Sequence, residues 1–231
     1  MQILVIAATK GEIAPTAEFI EESGNHLGRL KLVHLATGIG LMSATYSLMS
    51  QIGDSRPDCI IQAGIAGSFR GADQGKLMAV EKDFPADMGV YERGHFNSLF
   101  DMQLAGLNEF PYSRGFLSNP YDQLLALTKL ERVTAISVNE ISTDQERIDW
   151  YKAQFSAVLE SMEGAALHYV CLCKKIPFLQ IRAISNQVGE RDKAKWDMNE
   201  SLARLNDKLI SMIIELSKFD KTYLDEIFLR I

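Results

Sequence analysis

Apolar residues fall into short runs along the chain, and many of these runs are separated by stretches with the three-to-four-residue spacing of helices. Gln2 to Ala8 is a continuous apolar run, which predicts a buried first strand, followed by a helix from about Ile13 to Ser23. Leu30 to Leu35 alternates as a strand does, and Leu41 to Ile52 has helical spacing. Pro57 opens a further strand over Cys59 to Ala63, followed by the small-residue stretch Gly64-Ile65-Ala66-Gly67, which predicts a loop that lets backbone approach a flat ligand. Leu77 to Val80 and Val133 to Val138 also read as strands, and Tyr121 to Lys129 as a helix. Ser201 to Leu216 is an amphipathic helix suited to covering a sheet face, and 218–231 suits a short docking helix. Strands alternating with helices place the chain in the α/β class.

The segment 157–192 concentrates the polar residues of interest. Ala157 to Leu159 and Pro177 to Ile184 are strand-like and flank a helical stretch, Glu163 to Lys174. A right-handed unit with parallel strands would bring 160–163 and 185–191 out at one edge of the sheet, where open α/β sheets bind ligands. From Pro85 to Pro120 periodicity fails while aromatics recur, which predicts a functional loop, a lid or an oligomer contact.

Composition narrows the partners. A chain of 231 residues with 47% hydrophobic content fits one large domain, 1–231, with a substantial core. The net charge of -6, with both signs interspersed, argues against nucleic acid and for a small-molecule ligand. The N-terminal run is too short and too β-like for a membrane span and lacks the basic start of a signal peptide, so a cytoplasmic protein without membrane attachment is expected. Cys59, Cys171 and Cys173 make no disulfide framework. Cys171 and Cys173 lie about 200° apart around a helix, so they cannot clamp one metal, and all three read as buried thiols. No metal and no cofactor is expected, and His26, His34, His95 and His168 read as structural or surface residues.

SMEGAA followed by IRAISN resembles the paired signature of the purine nucleoside phosphorylase and methylthioadenosine nucleosidase superfamily. VIAATKGEI, ATGIGLMSA and IIQAGIAGS agree with it, in the family's order and over most of the chain. The resemblance implies a three-layer fold with a central mixed, mostly parallel twisted sheet flanked by helices. Within the superfamily the ending AISNQVGERDKAKWD is most similar to the futalosine hydrolases, which release hypoxanthine in menaquinone biosynthesis.

The resemblance also assigns roles. Glu12 falls on the carboxylate that orients the attacking water, and Glu163 on the one that contacts the ribosyl group; both would also suit a helix first turn. Asn186 would hydrogen-bond the leaving purine through its amide, with two protons available for the base. Arg182 corresponds to the arginine that orients the active-site carboxylate. Met162 would pack on the ribose, and Ile39, Ala66, Gly67 and Ser185 would line the base and sugar pocket. Two departures matter. Methylthioadenosine nucleosidases carry an aspartate where this chain has Asn186, and a serine where it has Ile65. Residues 1–28 hold only Lys10 as a cation and position 62 is Gln62, which favours water over phosphate as nucleophile. The readings left open are futalosine hydrolysis, methylthioadenosine or adenosylhomocysteine hydrolysis, phosphorolysis, and silent nucleoside binding; a homodimer or higher homo-oligomer is expected.

Overall fold

The computed structural model describes residues 1–93 and 95–228, with the side chain of residue 95 and the end of the last predicted helix outside that range. The strands are β1 (Gln2–Ala7), β2 (His26–Leu27), β3 (Leu30–Ala36), β4 (Cys59–Ser68), β5 (Leu77–Asp83), β6 (Gly89–Glu92), β7 (His95–Ser98), β8 (Leu117–Ser118), β9 (Glu131–Ser137), β10 (Leu159–Ser161) and β11 (Phe178–Gln187). The helices are α1 (Ala14–Glu22), α2 (Leu41–Asp54), α3 (Asp122–Leu127), α4 (Gln145–Phe155), α5 (Gly164–Lys174), α6 (Met198–Ser217) and α7 (Lys221–Ile227). Nine strands form one mixed sheet in the order β10-β9-β5-β11-β4-β1-β3-β2, with β8 against β5, and parallel pairings slightly outnumber antiparallel ones.

The sheet closes on itself through β4. This strand is parallel to β1 and β11 along most of its length, and its last residues pair antiparallel with β10, Ser68 opposite Leu159 and Gly67 opposite Glu160. Two sequence expectations are corrected here. The stretch Gly64-Ile65-Ala66-Gly67 is strand rather than loop, because β11 hydrogen-bonds along its whole length. The strand–helix–strand unit is not parallel either: β10 runs against β4, and β4 runs with β11. The two polar ends meet nonetheless, because β10 folds back along the end of β4 and returns the following residues to the level of Ile65 and Ala66.

Local chemistry accounts for the remaining elements. α5 is buried over most of its length, so it reads as a continuous apolar helix between sheet and exterior. α6 is anchored at its start, where Ser201 donates to the Ile184 carbonyl at 2.9 Å. Its Asn206 donates to the Glu12 carbonyl at 3.0 Å and accepts from Thr16 Oγ1 at 2.6 Å, tying the N-terminal turn to the sheet. α4 was not predicted: only Ile148, Tyr151 and Phe155 of its residues are buried, and Asp144 caps it by accepting from the Arg147 N–H. The 85–120 segment is also more regular than expected. β6 and β7 form a hairpin, and Phe84, Phe100 and Phe116 pack on Phe155, Tyr112 and one another, with Phe84 and Phe155 centroids 4.3 Å apart. Burial differs for one cysteine: Cys59 and Cys171 are buried, whereas Cys173, on the outer side of α5, is exposed.

Gly164, at the start of α5, has no room for a side chain, since a Cβ there would lie 2.2 Å from both Asp83 Oδ2 and Gln180 Nε2. Gly164→Ala is expected to cost about 1–3 kcal/mol through overpacking, seen as a drop in Tm of several degrees. An unchanged Tm in thermal denaturation would contradict this close packing.

Candidate active site

Six chain segments, 8–12, 39, 65–67, 141, 160–163 and 185–198, converge on one cavity of about 280 Å³. Its wall includes Glu12, Ile39, Ala66, Gly67, Met162, Glu163, Ser185 and Asn186, that is, every site residue expected from sequence except Arg182. Arg182 lies beneath it, 1% exposed.

Glu12 sits in the 3-10 turn Lys10–Ile13 that follows β1. Its Oε2 accepts from the Thr9 N–H at 2.9 Å and the Thr9 hydroxyl at 3.1 Å, a reciprocal cap that fixes the turn. Its Oε1 accepts from the Ile65 N–H at 3.1 Å. Capping locks the carboxylate in place at the cavity wall.

Glu163 lies two residues beyond β10 and stands at the N-cap of α5. Its Oε1 accepts from the Gly40 N–H at 3.0 Å, at the start of α2, and its Oε2 lies 3.6 Å from Arg182 Nη1. Gly40 has a φ of 89°, a left-handed conformation that glycine adopts without strain, and this turns its N–H toward the carboxylate. The Gly-Ile-Gly stretch at 38–40 thus serves a carboxylate rather than a phosphate.

Arg182 Nη2 donates to Gln62 Oε1 at 3.2 Å and Nη1 to the Ile65 carbonyl at 3.4 Å. A Cβ on Gly64 would come within 2.7 Å of Arg182 Nη1 and 2.8 Å of Glu12 Oε1. Glycine at 64 is therefore what allows the guanidinium and both carboxylates to gather around one strand.

At the other end of the cavity, Asn186 and Glu160 are the β11 and β10 partners of Gly67. Asn186 Oδ1 accepts from the Ser185 hydroxyl at 2.7 Å, and Nδ2 donates to the Gln187 carbonyl at 2.8 Å. One of the two amide protons expected to serve a base is thus already engaged, leaving a single N–H. The sequence places Glu160 after the strand, within 160–163 at the ligand-binding edge, but gives it no role of its own; the structure makes it part of β10. Its Oε1 accepts from the Ser142 N–H at 3.0 Å and holds the loop that carries Ile141 over the cavity. Burial pushes the Glu160 carboxyl up, against the lowering effect of the Ser142 hydrogen bonds.

The mouth is formed by Val188, Gly189, Glu190, Arg191, Trp196 and Met198. Trp196 Nε1 donates to the Glu190 carbonyl at 3.1 Å, and the Arg191 guanidinium stands 5.7 Å from its ring. Of the histidines, His168 is buried and donates Nδ1–H to the Leu117 carbonyl at 2.8 Å, a structural role, and His26 and His34 lie outside the cavity.

The phosphorylase superfamily model matches residues 2–217. A futalosine hydrolase of Thermus thermophilus is 32% identical over 75% of this chain and 77% of its own, and one of Streptomyces coelicolor is 28% identical over 75% and 74%. A 5'-methylthioadenosine/S-adenosylhomocysteine nucleosidase of Geobacillus kaustophilus is 27% identical over 86% and 85%. Among solved structures, the native futalosine hydrolase of Helicobacter pylori superposes with a TM-score of 0.77 at 20% identity, covering 93% of this chain and 98% of that one, which supports the shared fold. The chain belongs to the phosphorylase superfamily and to its N-glycosidic bond hydrolases.

Proposed function

We propose that the protein hydrolyses a purine nucleoside with a bulky 5' substituent, a futalosine-like substrate, and releases hypoxanthine. Asn186 carries the reading: the side chain at the base end of the cavity between β4 and β11 is an amide, with one N–H left for an acceptor on the purine. In the proposed reaction water adds to the anomeric carbon and gives its proton to Glu12, while the electron pair of the breaking C–N bond leaves with the base, which takes up a proton from solvent. Glu163 accepts hydrogen bonds from the sugar hydroxyls, and its charge stabilises the oxocarbenium-like sugar. Adenine is a poorer leaving group and benefits from full protonation by an acid, which an amide cannot supply; hypoxanthine leaves with hydrogen-bond help alone. Trp196, Met198 and Ile141 give the mouth apolar surface for the 5' substituent. Water is favoured over phosphate because the carboxylates Glu12, Glu160, Glu163 and Glu190 line the cavity against the single cation Arg191 among the described residues. Three free cysteines suit a reducing, cytoplasmic compartment.

Incubation with futalosine, methylthioadenosine and inosine, with and without phosphate, is expected to give hypoxanthine from futalosine at the highest kcat/KM and without phosphate dependence. A higher kcat/KM on methylthioadenosine would contradict the role given to Asn186, and strict phosphate dependence would move the enzyme to the phosphorylases.

Glu12→Gln and Glu163→Gln are each expected to lower kcat by roughly two orders of magnitude or more with Tm preserved, because each keeps shape and removes a charge used in the transition state. Near-wild-type turnover in either variant would remove that residue from the mechanism.

We also propose a homodimer. Met42, Tyr46 and Met49 form an exposed stripe on α2 beside the cavity residue Ile39, and Leu104, Leu107 and Phe110 are exposed within the 85–120 segment. Light scattering is expected to give twice the monomer mass, and Tyr46→Asp to shift it toward the monomer. A fully active wild-type monomer at assay concentration would overturn this.

A further inference from the structure

Behind the cavity wall lies a second buried polar cluster that the proposed chemistry does not use. Asp83, at the end of β5, is fully buried. Its Oδ1 accepts from the Ser137 hydroxyl at 2.8 Å, and the Ser137 oxygen accepts in turn from the Ala165 N–H at 2.8 Å, in the first turn of α5. Its Oδ2 shares with Gln180 Nε2 the space that a Cβ of Gly164 would fill, directly after Glu163 in the chain. The charged and titratable groups facing Asp83 are Arg182 from β11, which lowers its pKa, and, beyond Gln180, His168 from α5; β9 contributes Ser137. His168 is neutral, its pKa pushed down to about 4 by burial, so Arg182 is the positive charge that Asp83 meets.

Arg182 presents a difficulty for a site that must stabilise a cation. Its guanidinium is 3.6 Å from Glu163, and a bare arginine there would cancel much of the field that Glu163 exerts on the sugar. A second negative charge on the far side of the arginine offsets this and leaves the charge of Glu163 available.

We propose that Asp83 is a positioning residue for the hydrolysis: ionised, it balances Arg182 electrostatically, and through Ser137 and the first turn of α5 it holds Glu163 against the sugar subsite. It does not touch the substrate. Holding this charge works against stability, since burial raises the Asp83 pKa to about 6, opposed mainly by the Ser137 hydrogen bond. The folded state therefore binds a proton more readily than the unfolded chain does, and stability is lost as pH rises from the ordinary carboxyl value of 3.8 to about 6, above which the loss is complete.

Asp83→Asn keeps the shape and an acceptor for Ser137 and removes the charge; Gln180, between Asp83 and His168, can turn its amide to meet the new one. At about pH 7.5 this variant is expected to match or exceed wild-type Tm, with the difference narrowing as pH falls from about 6 and largely closed by about pH 4. Its kcat is expected to fall at least roughly 10-fold with KM little changed. The wild-type loss of kcat on acidification, centred near pH 6, should move down by about one unit or more in the variant. Ser137→Ala, tested in parallel, is expected to lower kcat with KM unchanged. The proposal is overturned by an Asp83→Asn protein that is unfolded or less stable than wild type at both pH values, that keeps wild-type kcat, or that keeps the wild-type acid limb; unchanged kcat in Ser137→Ala overturns the link through α5. Either failure leaves the effect of Glu163→Gln intact and so is distinct from a failure of the proposed function.

Discussion

The site depends on one buried cation. A guanidinium cannot be left in an apolar interior without partners, and Arg182 satisfies this requirement by drawing Glu163, Gln62 and the Ile65 carbonyl around it. That demand reaches into the sequence. Position 64 must be glycine, because a methyl group there would strike both Arg182 and Glu12. Gly40 must turn its N–H toward Glu163, and Gly164 must leave room for Asp83 and Gln180. Three glycines in three separate motifs thus answer to one cluster of charge, which is why the motifs occur together.

The sheet supplies the geometry that brings these motifs together. β4 is long enough to serve two sets of neighbours, β1 and β11 along most of its length and β10 at its end. Its residues 64–67 form the floor between the carboxylates and the amide. Glu12 arrives from β1, Asn186 from β11 and Glu163 from β10, and Asn206 of α6 fixes the turn that carries Glu12. Solved relatives named for futalosine and for methylthioadenosine share this fold, and the substrate proposed for this chain rests on Asn186 and on the mouth around Trp196.

Much of this was legible in the chain. β1, β3, β5 and β9, and the helices α2, α5 and α6, followed from apolar period, and MEGA with RAISN located Glu163, Arg182 and Asn186. The errors have physical causes. Gly64 to Gly67 looks like a loop because glycine weakens strands, yet here β11 pairs along the whole stretch and β10 joins at Gly67, and the missing side chain at Gly64 makes space for charged groups. The direction of β10 depends on a pairing between distant segments that no local pattern records. α4 has too few apolar positions to stand out, and the aromatic packing of 85–120 is irregular in sequence though dense in space. Asp83 was missed because a lone acid gives no sign that it is buried, and Glu160, although placed at the ligand-binding edge, was given no role because it precedes the SMEGAA motif.

The most direct test is a crystal structure with a C-nucleoside, in which carbon replaces the linking nitrogen and the bond resists hydrolysis. The anomeric carbon should lie between Glu12 and Glu163, with sugar hydroxyls on Glu163, a water on Glu12 and the base against the free N–H of Asn186. A sugar bound away from Glu163, or a base lodged against Glu12, would contradict the assignment of the whole site.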